Sequence, residues 1–109
     1  MKIAFQMDPM ESIKFASDST WQMMMEGGKR GKLYHYTPND LCWQNGKVMA
    51  NVREIYIESN ISYKFDDYKL TDLSEMDIIF IRQDPPYDMG YLTTTYLLEK
   101  ISHKVLMIN

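Results

Sequence analysis

The sequence predicts an α/β domain: a mostly parallel sheet with helices on both faces and a β-hairpin insertion. Two observations call for the parallel sheet. The short apolar runs over residues 2–7 and 77–81 read as buried strands, and each precedes a segment of helical periodicity. A third accounts for the insertion. Asn45-Gly46 joins two strand-like segments, the strongest short hairpin signal a sequence can carry. The resulting order, β-α-β, hairpin, β-α-β, favours parallel strands with crossover helices.

The elements follow in order. Residues 2–7 form the first strand and 8–17 a loop containing Pro9. Ser19-Thr20-Trp21-Gln22 fits a capping box, with Ser19 as N-cap and Gln22 at the third helical position. Trp21, Met24 and Met25 then share one helical face. Gly27 and Gly28 inside this helix are a local inconsistency, costing ~1 kcal/mol each against Ala, and mark close packing or drift. Gly31 stops the helix where a left-handed cap is needed. Residues 33–36 are the second strand, ending at Thr37-Pro38-Asn39-Asp40. Residues 41–44 and 47–50 flank the hairpin turn, and 52–58 continue in β-branched and aromatic residues. The polar, tyrosine-rich stretch 60–76 reads as a surface excursion. Residues 77–81 form the third main strand, and 90–100 a helix with Asp88 as its cap. Thr94, Leu97, Leu98 and Ile101 fall on one face of that helix. Residues 105–108 form a last strand, with no polar tail or closing helix after it.

Composition narrows the classes. At 109 residues, 45% hydrophobic and 25% charged, the chain has the balance of one soluble globular domain. A net charge of −3 without any Lys/Arg run argues against nucleic acid as a partner. Cys42 is the single cysteine, so no internal disulfide forms; its neighbours Leu41 and Trp43 make it a packed, inert thiol, and a cytoplasmic location is expected. No signal peptide and no membrane span are expected. Met23-Met24-Met25 reads as soft core filler rather than an adaptable binding face.

Several chemistries are excluded by missing motifs. The five glycines make neither a dinucleotide fingerprint nor a P-loop. One Cys and two separated His residues cannot complete a zinc site or a Ser-His-Asp triad; His35 and His103 read as packed or surface residues. A phospho-acceptor receiver domain would need paired acids after the first strand, where only Asp8 stands, followed by Pro9.

What remains is Arg82-Gln83-Asp84-Pro85-Pro86-Tyr87-Asp88, directly after a buried strand. Open α/β sheets bind ligands at the carboxyl ends of their strands. Pro85 and Pro86 fix φ and hold this turn stiff. With Asp8 and Pro9 after the first strand and residues 17–20 at a helix start, these residues form a candidate rim on one sheet edge. Arg82 offers a planar fork suited to a carboxylate, and the helix start a place for a second anionic group. A ligand with carboxylates and an amine matches these charges. The residues alone also admit a bracing role, in which Arg82 pairs with Asp84 or Asp88 and Asp88 caps a helix.

These segments resemble the prokaryotic glutathione synthetases. Arg-x-Asp-Pro-Pro-aromatic-Asp after an Asp-Ile-Ile strand is similar to that family's N-terminal-domain signature, and Ile3-Ala4-Phe5-Gln6-Met7-Asp8-Pro9 to its first strand. Glu26-Gly27-Gly28-Lys29-Arg30-Gly31-Lys32-Leu33-Tyr34-His35-Tyr36 resembles its helix end and second strand, and Asp40-Leu41 with Asn45-Gly46 its next hairpin. Gly27-Gly28 departs from the Ala-Gln-type pair more usual there. The likeness runs through essentially the whole chain. It implies a Rossmann-like (pre-ATP-grasp) fold and an N-terminal, substrate-side domain of an ATP-grasp ligase. It implies γ-glutamylcysteine and glycine as substrates, with ATP and Mg²⁺ bound by domains outside residues 1–109. The family's homo-oligomers are implied likewise. Arg82, Asp84, Asp8 and Ser19 become expected peptide-substrate contacts, and Pro85, Pro86 and Asp88 the structural turn. Two other readings stand beside it: the same domain from another ATP-grasp ligase, and a free-standing small-molecule-binding module with a flavodoxin-like sheet.

Overall fold

A computed structural model describes the backbone of residues 1–82 and 89–109 and the side chains of 1–82 and 93–109. Its centre is β1 (Lys2–Gln6), buried on both faces apart from Lys2. β1 pairs in parallel with β2 (Lys32–Tyr36) on one side and β7 (Ile78–Ile81) on the other, and β7 pairs in parallel with β8 (Leu106–Ile108). Beyond β2 the sheet changes sense. β4 (Lys47–Ser59) runs antiparallel to β2, and carries β3 (Leu41–Gln44), β5 (Ser62–Phe65) and β6 (Lys69–Asp72) as further antiparallel partners.

The sheet is therefore mixed rather than mostly parallel. The reason lies in the connections. A parallel return needs a crossover of a dozen or more residues, whereas β3 reaches β4 through a two-residue turn. There Asn45 and Gly46 hold φ values of 51° and 74°, as the sequence predicts for a tight hairpin. β4 is long enough to template two ladders, pairing with β3 and β6 along its first half and with β2 and β5 along its second.

That length also explains why residues 60–76, although mostly at the surface, have regular structure. They form β5, β6 and a 3₁₀ turn at Leu73–Glu75. Tyr63 and Phe65 alternate onto one face, where Tyr63 meets Phe15 and Trp21 with ring centroids 6.3 and 6.1 Å away. Leu73 and Met76 are buried on the other face. Isolated apolar residues among polar ones gave little local signal; a strand long enough to pair with them supplies the missing partner.

Two helices cover opposite faces. α1 (Ser19–Gly28) packs Trp21 and Met24 against Ile3, Phe5, Leu33 and Ile55. α2 (Met89–Glu99), with the turn after it, places Leu98 and Ile101 against Ala4, Tyr36 and Ile79. Thr94, Leu98 and Ile101 are buried and Leu97 partly so, on the helical face that the spacing predicts. Met23 and Met25 pack partly against the α1-side core, as filler. Among the described residues no helix is long and apolar enough to cross a membrane.

Glycine usage at the end of α1 differs from expectation. The helix ends at Gly28 with Lys29 as its right-handed C-cap, and Gly31 does not adopt positive φ. Gly31 is required by proximity instead: a Cβ there would stand 2.2 Å from the Met1 carbonyl oxygen. The Lys32 N–H donates to that same oxygen at 2.9 Å, so the backbones are held together. Gly27 also marks close packing, since its Cβ would meet Leu33 Cδ2 at 3.1 Å. Gly31→Ala is expected to destabilise the fold by ~1–3 kcal/mol, the usual range for forced overpacking. Gly28→Ala, whose Cβ would meet Ile57 and Leu33 side chains at an ordinary 3.6 Å, is expected to be neutral or mildly stabilising. Thermal melts of the two variants, compared with the parent, check the contrast.

Candidate functional site

The parallel register brings Gln6 of β1 beside Ile81 of β7, so the segments after both strands emerge on one edge. Arg82 continues the ladder: its N–H donates to the Gln6 carbonyl at 2.8 Å. Its side chain then crosses to the start of α1. Nη2 donates to Ser19 Oγ at 2.9 Å and Nε to Thr20 Oγ1 at 3.2 Å. The guanidinium is thereby oriented by two hydroxyls, and Nη1 is used by neither.

Ser19 can serve Arg82 because it is not the helix cap. Asp18 is the N-cap, its Oδ1 accepting from the Thr20 N–H at 2.8 Å, and Ser19 is the first helical residue. Asp and Ser are about equally good caps, so Asp18-Ser19 offers two registers. The structure selects the one that leaves the serine hydroxyl for the arginine. Sequence reading puts residues 17–20 on the rim but takes Ser19 for the cap, and so misses the capping role of Asp18 and the contact of Thr20 with Arg82.

Asp8 follows β1 on the same edge and is half-buried. Its carbonyl oxygen lies 3.1 Å from His35 Nε2. A carbonyl only accepts, so Nε2 carries the proton. His35 is 1% exposed, and burial pushes its pKa below the usual 6.5, with the nearby Arg53 charge adding to the effect and the Asp8 hydrogen bond opposing it. The neutral imidazole thus pins the segment after β1. It is a packed histidine, as its strand position predicted, but with a definite task at the rim. Below it, the buried Tyr36 hydroxyl donates to Gln6 Oε1 at 2.8 Å, and burial pushes that phenol's pKa up, keeping it a donor.

The structure therefore brings together Arg82 and Ser19, and places Asp8 on the same edge. Asp84, Pro85, Pro86 and Asp88 lie outside the described residues. Cys42 sits on β3, half-buried, and His103 is exposed. Among the described residues no group of three or more His, Cys, Asp or Glu side chains is arranged to hold a metal ion. Cavities of about 410 and 280 Å³ open at the other ends of the helices, the first beside Gly28 and Leu33, the second beside Trp43 and Lys100.

The His35 environment has a consequence for pH. Above 6.5 the imidazole is neutral in folded and unfolded chains alike and costs nothing. Below 6.5 the unfolded chain takes up the proton first, so stability falls until the lowered folded pKa is passed. The stability gap between the parent and His35→Gln, measured by urea denaturation, is expected to narrow as pH drops from about 7.5 to about 5.5.

Comparison with known proteins gives a consistent picture. The family model described as prokaryotic glutathione synthetase, N-terminal domain, matches residues 1–109. A glutathione synthetase of Mesorhizobium japonicum is 43% identical over 112 residues, covering 100% of this chain and 36% of the relative. That of Brucella melitensis is 43% identical over 115 residues, with the same coverages. That of Vibrio parahaemolyticus is 36% identical over 111 residues, covering 99% of this chain and 35% of its own length. The chain spans about a third of the length of these curated relatives.

Proposed function

The chain belongs to the prokaryotic glutathione synthetase family, by its N-terminal domain, and from that premise we propose that it is the substrate-side part of an ATP-dependent carboxylate–amine ligase. The reaction joins γ-glutamylcysteine to glycine. The cysteinyl carboxylate is activated by phosphoryl transfer, and the glycine amine displaces phosphate from the acyl phosphate. The described residues do not fit a nucleotide–magnesium site: they offer neither a glycine-rich phosphate loop nor a carboxylate cluster. We therefore assign this chain no step of phosphoryl transfer, and place ATP and Mg²⁺ in the remaining two-thirds of the full-length protein. A pre-ATP-grasp, Rossmann-like relationship for the parallel β2-β1-β7-β8 half of the sheet, a cytoplasmic location and homo-oligomers of the whole protein belong to the same reading.

The observation that carries the proposal is the Arg82 guanidinium, held by Ser19 and Thr20 at the start of α1. A planar fork oriented before ligand arrives loses little freedom on binding. Its Nη1 edge, which neither hydroxyl uses, suits a carboxylate of the peptide. Ser19 serves through Arg82 and the helix start, and Asp8 and Asp84 supply acceptors for the substrate amine. Orientation of the peptide, rather than chemistry at its reacting atoms, is the contribution of this domain.

Arg82→Ala in the full-length enzyme is expected to raise KM for γ-glutamylcysteine about ten- to a hundredfold, the loss of a charge-assisted hydrogen bond of ~1.5–3 kcal/mol. KM for ATP should change little. Steady-state kinetics with each substrate varied decides: equal effects on both would mean that Arg82 only braces the fold. The 109-residue chain alone is expected to form no ADP when given both substrates and Mg-ATP. Sustained ADP release in a coupled assay would contradict the assignment of phosphoryl transfer to other domains.

A further inference from the structure

Arg53 lies on β4 opposite His35 of β2, which is in turn opposite Phe5 of β1. Successive partners in register share a sheet face, so Arg53 projects on the side that α1 covers. Arg82 reaches that same side from β7, through the hydroxyls at the start of α1. The two arginines thus flank the segment after β1, three strand spacings or about 14 Å apart at the backbone. Two long side chains and one extended dipeptide can span that distance.

The guanidinium of Arg53 is held by aromatic rings. Its Cζ is 3.6 Å from the Phe65 ring centroid and 4.5 Å from that of Tyr68. Phe65 is itself fixed by Tyr63 and His35, with centroids 5.4 and 5.6 Å away. Ring contacts satisfy the face of a guanidinium but none of its N–H groups. Nε is hidden from solvent and, among the described residues, has no acceptor, and no carboxylate there forms an ion pair with Arg53. A hidden donor without an acceptor opposes folding, and a purely structural arginine would be expected to have one. His35 beside it is neutral, so the positive charge of Arg53 is not shared with a second cation there.

We infer that Arg53 is a second anion anchor of this edge, which takes the non-reacting α-carboxylate of the γ-glutamyl residue on its terminal Nη groups. The inference rests on the reading of the edge as the peptide-substrate site. The non-reacting carboxylate is the appropriate partner on energetic grounds. A tight fork on the reacting carboxylate would stabilise the ground state against its own activation. On the remote carboxylate the same binding energy positions the peptide. Phe65 and Tyr68 hold the fork ready, so Arg53 is a specificity-determining residue for γ-linked peptides that carry this second carboxylate.

The test uses the full-length enzyme, the Arg53→Lys and Arg53→Met variants, and two peptides: γ-glutamylcysteine and its analogue with the glutamyl α-carboxylate as a primary amide. The parent is expected to prefer the acid over the amide by about tenfold or more in kcat/KM. Both variants should lose most of that preference, while KM for ATP and the melting temperature stay near the parent values. Arg53→Met keeps the apolar packing against the rings, and Arg53→Lys keeps the charge without the planar fork. Variants that discriminate acid from amide as strongly as the parent would overturn the inference. Such a result, combined with an Arg82→Ala enzyme that does lose γ-glutamylcysteine, would overturn the role of Arg53 alone. If Arg82→Ala also leaves peptide use intact, the substrate-edge reading fails with it.

Discussion

Burial of β1 on both faces is the constraint from which the remaining geometry follows. Ile3 and Phe5 face α1, while Ala4 and Gln6 face the α2 side, and all four are at most 3% exposed. A strand so enclosed can satisfy its backbone only through neighbours on both sides, and in a sheet sandwiched between helices those neighbours run parallel. A slip of one residue against β2 or β7 would turn Phe5 away from Phe80, with which it stacks at a centroid separation of 4.9 Å, and push Ala4 into the aromatic layer. The register that this enforces, Gln6 beside both Tyr36 and Ile81, brings Asp8 and Arg82 to one edge.

Arg82 then links three elements that are distant in sequence. Its amide extends the β1–β7 ladder, and its side chain spans to the first turn of α1, 62 and 63 residues away. Bracing by these contacts does not preclude recognition. The sequence alone left Arg82 divided between pairing within its own turn and binding a ligand. The structure supplies hydroxyl partners that orient the guanidinium while leaving its charge uncompensated by them. Neutral acceptors hold a fork in place without neutralising it.

The same edge shows how local rules are resolved by tertiary contacts. Asp18 and Ser19 are near-equivalent caps, and the arginine arriving from β7 separates their roles. His35 reads as an unremarkable strand residue, yet its depth makes it a neutral donor that fixes the chain at Asp8. Arg53 sits in an alternating strand, where an inward-facing charge looks like an error of pattern. Phe65 and Tyr68, which receive it, belong to the polar stretch that seemed to lack structure.

The sequence by itself determined what depends on near neighbours along the chain or on ordered motifs. These include the buried strands, the helical face of Thr94, Leu98 and Ile101, the Asn45-Gly46 turn and the family, read from Met7-Asp8-Pro9 and the segment from Arg82 to Asp88. Tertiary structure decided whatever depends on meeting a distant partner. β4 became a thirteen-residue template that makes the sheet mixed and gives β5 and β6 their order. Gly31 is small because Met1 lies against it, not because its φ is positive. Periodicity and turn chemistry are local and survive in a one-dimensional reading. The identity of the group across a strand or beneath a ring is set only when the chain closes on itself.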